Sequence, residues 1–207
     1  MSTTHAGTSR TARLTLLAGV AAAAIGAAPS TGHAAAGALV EVDRNTLSHI
    51  AGPDEDNRVR FYRSGTKIMV IDAVRITAGD GCDRINDYRV SCDSTGVGAI
   101  VALLGNRSDS VAIDVPLPAY VEGGSGNDAY YGGTAPSESR VFYMGQGDQD
   151  WVSYALTSQP SRVTLDHLAN DGRIGLDSDN IQPDVEHAVV SSTSTAGLIP
   201  PAPAPAG

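Results

Sequence analysis

Aromatic residues make up only 5% of this chain, Lys67 is its one lysine, and it carries two cysteines. Each scarcity excludes something. With 14 basic against 23 acidic residues and a formal net charge of -9, the summed field repels nucleic acid and anionic membranes and suits divalent cations instead. One cysteine pair cannot complete a zinc site without a second pair, and no histidine lies near either cysteine in sequence. Neither the HExxH helix of a zinc protease nor a GxSxG nucleophile elbow occurs. Beyond residue 36 there is no convincing helical period and no apolar run long enough to enter a membrane, so neither a helical fold nor membrane insertion is expected.

The first 36 residues read as a secretory signal peptide. Arg10 and Arg13 precede an uncharged run from Leu14 to Ala28, and Ala34 and Ala36 supply the small residues of a cleavage site after Ala36. A retained anchor is the alternative, but the run is short and mostly Ala and Gly. Cleavage would leave 12 basic against 23 acidic residues, a net charge of -11. Outside the cell, Cys82 and Cys92, ten residues apart, are most simply a disulfide. Residues 191–207, built from Ser, Thr, Ala, Gly, Leu, Ile and Pro without charge, cannot bury a core and read as a disordered tail.

Residues 37–190 hold short β-branched runs bounded by Gly, Asp, Asn or Ser, among them RVRFYR at 58, KIMVIDAVRIT at 67, AIVALL at 99, SVAIDV at 110, RVFY at 140 and WVSY at 151. Many short strands with turn residues between them argue for an all-β domain. The connectors are more informative. Residues 123–131, GGSGNDAYY, match the nonapeptide GGxGxDxUx of calcium-binding β-rolls, with Tyr130 in the apolar position. Weaker copies flank it: AGDGCDRIN at 78–86, which retains Asp83, and LGNRSDSVA at 104–112, which retains Asp109 but has Arg107 in place of a glycine, both read as ion-free structural turns; and GQGDQDWV at 145–152, which fits if Gln149 is one inserted residue and is expected with 123–131 to hold an ion.

Calcium takes six to eight oxygens at roughly 2.3 to 2.6 Å, and tightly turned backbone carbonyls can supply many of them. Glycines permit the turn and the aspartate adds a carboxylate, so the ligand candidates are Gly124, Gly126, Asp128, Gly145, Gly147, Asp148 and Asp150. A second cluster of carboxylates runs from Asp166 to Glu186, where Asn170, Asp171, Asp177 and Asp179 form either a further calcium site or a solvated acidic loop. An EF-hand does not fit there: starting from Asp177, Gln182 falls on the turn glycine and Ala188 on the closing glutamate.

These segments resemble the secreted haemolysin-type calcium-binding repeat proteins, in particular a group from GC-rich actinobacteria. The likeness rests on NRVRFYRSGTKIMVID, YRVSC, AIVALLGNRSDSVAI, GGSGNDAYYGG and the stretch from VSYALTSQPSRVTL through LANDGRIGLDSDN to QPDVEHAVV. The resemblance implies an irregular right-handed parallel β-helix or β-roll with a few additional N-terminal strands and calcium in its GGxGxD turns; most such bacterial proteins lack an assigned activity. GGTAPSES after Tyr131 breaks the repeat where another copy belongs.

Three functions compete. One is a secreted, non-enzymatic calcium-binding module whose folding or rigidity is coupled to the ion. Another is an extracellular polysaccharide lyase or epimerase on a β-helix, for which His49, His167 and His187 are the candidate bases. The third is a module that adheres to cell-wall glycan or a partner protein through Tyr130, Tyr131, Tyr143 or Trp151.

Overall fold

The computed structural model describes residues 37–191. The expected signal peptide lies outside them, as does the expected tail except for Ser191, whose amide donates to Ser161 Oγ at 3.1 Å. The described residues form strands and turns without a helix, so the chain is all-β, and none of it is a helix able to cross a membrane.

The strands in chain order are β1 (Ala38–Asp43), β2 (Thr46–Ile50), β3 (Arg58–Ser64), β4 (Lys67–Ile71), β5 (Ile76–Ala78), β6 (Cys82–Asn86), β7 (Arg89–Asp93), β8 (Ala99–Leu103) and β9 (Ser110–Asp114). They continue as β10 (Pro118–Ser125), β11 (Ala129–Tyr131), β12 (Arg140–Gly147), β13 (Trp151–Ser153), β14 (Ser161–Arg162), β15 (Gly172–Arg173), β16 (Asn180–Ile181) and β17 (His187–Val189). One sheet has the order β16-β12-β10-β8-β2-β1-β5 and the other β17-β13-β11-β9-β3-β4-β7-β6, while β14 and β15 pair separately.

From β8 to β13 consecutive strands alternate between the two sheets, and β8, β9, β10 and β11 each pair in parallel with the strand two places on. β2 and β3 extend this pattern at one end, β16 and β17 at the other. The chain therefore climbs through stacked levels, β2/β3, β8/β9, β10/β11, β12/β13 and β16/β17. Beyond β2 and β3 the pairing becomes antiparallel, through β1 in one sheet and β4, β7 and β6 in the other, with β5 beside β1 in parallel. The Cys82–Cys92 disulfide joins directly paired positions of β6 and β7.

Alternation at period two explains the packing. In β10, Ala119, Val121 and Gly123 point inward, and in β12, Val141, Tyr143 and Gly145 do the same. With Ile100, Val111, Tyr130 and Val152 they fill the space between the sheets.

The disulfide closes a ten-residue separation inside the antiparallel region. Replacing Cys82 and Cys92 by serine together is expected to lower the unfolding free energy by about 2–3 kcal/mol in a urea titration. An unchanged midpoint and slope would contradict this assignment of its role.

Candidate metal centre

At each level the chain passes from the first sheet to the second through a tight turn. In β10 and β12 the residue offset is constant: Gly124 lies opposite Gln146, Ser125 opposite Gly147, and beyond the turn Ala129 lies opposite Trp151. GGSGND is thus superposed on GQGDQD residue for residue, and the insertion expected at Gln149 is absent. Gln149 sits opposite Asn127, whose Oδ1 accepts its amide at 3.1 Å. The frame was hidden because the left-handed positions, Gly124 and Gly126 in one turn, are Gln146 (φ 78°) and Asp148 (φ 73°) in the next. One level down Gly105 and Arg107 (φ 83°) occupy them. Such φ values are uncommon for residues with side chains, so the stacking imposes them.

Close approach explains the glycines. A Cβ on Gly124 would run into the carbonyl oxygen of Gly105, and one on Gly126 into that of Arg107. A Cβ on Gly123 would collide with Asp128 Oδ2 and stand 2.8 Å from the carbonyl oxygen of Gly145; one on Gly145 would collide with Asp150 Oδ2. Without side chains there, the turns close up until a carboxylate and a carbonyl of the next level share one small space.

The carboxylates form a ladder across the levels. The Asn57 amide donates to Asp109 Oδ1 at 2.6 Å, the Asp109 amide to Asp128 Oδ1 at 2.8 Å, the Asp128 amide to Asp150 Oδ1 at 2.8 Å and the Asp150 amide to Glu186 Oε2 at 2.8 Å. Asp109 is 3% exposed, and Asn57, Asp128 and Asp150 are fully buried. One oxygen of each aspartate is satisfied. The other is not: Asp109 Oδ2, Asp128 Oδ2 and Asp150 Oδ2 are buried without a hydrogen-bond partner, as are Asn57 Oδ1, Tyr143 Oη and Asp184 Oδ1.

Burial penalises these charges. Asp109 and Asp128 are each pushed up to about 7, first by desolvation and then by neighbouring acidic groups, against the lowering effect of the amide each accepts. Asp150 rises to about 6 for the same reasons, with Glu186, Asp184 and Asp148 as its charged neighbours. Burial also raises Tyr143 well above the ordinary phenol value, with Asp150 and Asp128 adding to the effect. Aligned buried carboxylates with orphaned oxygens require either protons or a cation.

Asp148, by contrast, is exposed and accepts the Gly126 amide at 3.1 Å, clasping adjacent turns from outside, while Gly147 is half-buried. The expected copy at 78–86 is not part of the stack: Asp83 lies in β6, opposite Ser91, and faces Lys67 at 3.7 Å. Its ladder position is taken by Asn57, and Glu186 forms the far end.

Of Asn170, Asp171, Asp177 and Asp179, Asp171 and Asp179 lie opposite each other in an isolated antiparallel bridge, and Asp177 and Asp179 accept amides at the start of β12. Their oxygens have protein donors. Arg173 pairs with Asp177 at 2.8 Å, with both side chains buried, and Asp177 also accepts the Ser139 amide. Asp179 accepts the Val141 amide at 2.8 Å and the Tyr154 hydroxyl at 2.7 Å; Asp171 accepts amides from Thr164 and Ile181. Asn170 Oδ1 accepts the Thr164 hydroxyl at 2.7 Å. Arg173 supplies at Asp177 the positive charge that an ion would otherwise provide.

Of the three candidate bases, His49 is buried against Asp72 at 2.9 Å, His167 binds Gln182 at the surface and His187 stacks on Trp151. Tyr130 and Tyr143 are core residues, whereas Tyr131 and Trp151 are exposed. Among the described residues no group of three His, Cys, Asp or Glu side chains forms a metal cluster. An ion between levels would therefore draw on one or two carboxylates and, for the rest, on backbone carbonyls.

With folded-state pKa values above the ordinary carboxylate range, the native state binds more protons than the unfolded chain, so ion-free stability falls as pH rises from about 4 towards 7. In a chelator the melting temperature is expected to be lower at pH 8 than at pH 5.5; the reverse order would contradict burial of these charges. Gly145→Ala is expected to displace the Asp150 carboxylate and destabilise the protein by about 1–3 kcal/mol, read from denaturant midpoints. No family model, curated protein or solved structure matches the chain.

Proposed function

We propose that the protein is an exported, non-enzymatic calcium-binding module, an irregular right-handed β-roll whose stacked turns hold calcium along the ladder. The observation that carries this reading is the row of buried, partnerless oxygens at successive levels, Asp109 Oδ2, Asp128 Oδ2 and Asp150 Oδ2. The alternation of strands between two sheets with parallel neighbours supports the roll, and parallel connections within a sheet are right-handed in nearly all proteins. The disulfide fits an oxidising compartment outside the cytosol.

The donor set selects the metal. It is all oxygen, which disfavours zinc and copper. It is rich in backbone carbonyls at closely packed turns, which suits the large and flexible shell of calcium better than the strict octahedron of magnesium with its retained waters. Asp128 and Asp150, with carbonyls of the GGSGN and GQGDQ turns, would hold the ion, and Asp109 extends the same environment one level further. Calcium would neutralise the carboxylates and let the turns stack without protonation. Asn170, Asp171, Asp177 and Asp179 lack the orphaned oxygens of the ladder, and protein donors already satisfy them.

Melting at pH 7.5 tests this reading. Calcium at about 100 times its dissociation constant should add about 2.7 kcal/mol and raise the melting temperature by roughly 5–10 °C. Magnesium at the same concentration should not reproduce the shift. Asp128→Asn should raise the melting temperature in chelator, because it removes a buried charge while keeping an acceptor for the Asp109 amide, and should abolish most of the calcium response. Equal effects of the two metals, or a full calcium response in Asp128→Asn, would refute the proposal.

A further inference from the structure

The outer face of the second sheet carries a separate feature. Arg60 of β3, Ala112 of β9 and Tyr131 of β11 lie in one cross-strand row, with the small Ala112 between the two long side chains. The dip over Ala112 is the floor of a cavity of about 310 Å³ whose walls are Arg60, Asp114, Tyr131, Thr134 and Leu156. That volume lies at the small end of the range for ligand pockets. Tyr131 is 40% exposed and Leu156 71% exposed, so one wall is apolar and open to solvent.

The opposite wall is polar and fixed in place. Asp114 is nearly buried and accepts from Arg60 Nε and from the Thr134 hydroxyl. The Arg60 guanidinium also lies 5.7 Å over the Tyr62 ring, so it is held from two sides. Only its Nε is engaged in hydrogen bonding among the described residues, which leaves the two amino groups as donors for a ligand.

GGTAPSES, the segment that interrupts the repeat, contributes Thr134 to this site. A Cβ on Gly132 would strike the Tyr154 ring, so the chain hugs that ring after Tyr131 and then places Thr134 on Asp114.

We propose that this cavity binds carbohydrate, taking one neutral hexose unit of a glycan with its C–H face on Tyr131 and its hydroxyls on Arg60 and Asp114. The chemistry is specific to such a ligand. The Arg60–Asp114 pair cancels its own charge, so an anionic ligand gains little, and a purely apolar ligand would cover the pair without supplying partners. A pyranose ring offers both an apolar face and a fringe of hydroxyls. Trp151, stacked on His187 with ring centroids 4.1 Å apart, lies diagonally across from Tyr131 on the neighbouring strand and offers a second ring to the next sugar of a chain.

Trp151 is the one tryptophan of the sequence, so its fluorescence reports on this face. The full chain, in calcium-containing buffer, is titrated with cellohexaose, mannohexaose and chitohexaose, and with hexagalacturonate as an anionic control, by fluorescence and calorimetry. At least one neutral oligosaccharide should bind saturably and more tightly than the control. Tyr131→Ala and Arg60→Ala should weaken that binding by about tenfold or more, the former with a melting temperature close to the parent's and the latter with a lower one, since Asp114 loses its partner. If either variant fails to fold, Leu156→Asp at the exposed rim should weaken binding in the same way. Absence of saturable binding by all three neutral probes, tighter binding of hexagalacturonate, or undiminished binding by the folded variants would overturn the proposal.

Discussion

A carboxylate that accepts the backbone amide of the level before it, and buries its second oxygen with no donor, is the interaction on which this architecture turns. The bond from the Asp109 amide to Asp128 Oδ1, repeated from the Asp128 amide to Asp150 Oδ1, fixes the register of one turn on the next. It also brings negative charge into a space without water-accessible surface. The same contact thus orders the stack and creates a demand for positive charge within it. Arg173 meets the comparable demand at Asp177, whereas no arginine or lysine pairs with the ladder among the described residues.

Glycine makes this arrangement possible by being absent of side chain where two levels meet. Gly123 and Gly145 lie directly against the carboxylates of Asp128 and Asp150, while Gly124 and Gly126 lie against carbonyls of the level below. These contacts set how closely levels pack, and hence how many oxygens can converge on one point. Where the turn has other work, the glycines serve differently. Gly132 makes room for the Tyr154 ring, and that turn contributes Thr134 to a surface cavity.

Much of this was legible in the sequence, though unevenly. Alternating runs such as RVFY and SVAIDV read correctly as strands because each has one inward face. GGSGND read as a stacked turn because every required position carries the residue best suited to it. GQGDQD was misframed because Gln146 and Asp148 adopt left-handed conformations that sequence alone assigns to glycine. AGDGCDRIN matches the repeat pattern without joining the stack: Gly81 and Asp83 serve an antiparallel region, where the same residue types are equally at home, and an ion-free structural role is the expectation there. Asn57 escaped notice because an amide stands where an acid was sought and the turn leading to it departs from the GGxGxD pattern. Glu186 did so because a longer side chain spans a shortened turn. Nothing local to Asp177 marks Arg173 as its buried partner, since that role depends on Ala135 and Ser137 carbonyls about forty residues earlier.

The proposed ion column inside the stack and the proposed sugar-binding face outside it would together suit a rigid module that works where calcium is plentiful. Crystals grown in calcium and measured at a wavelength where that element scatters anomalously test the central claim most directly. The account predicts anomalous peaks in the column between the levels of Asp109, Asp128 and Asp150, beside Gly123 and Gly145. A column without such peaks, in which the Oδ2 atoms meet water or share protons with one another, would contradict it.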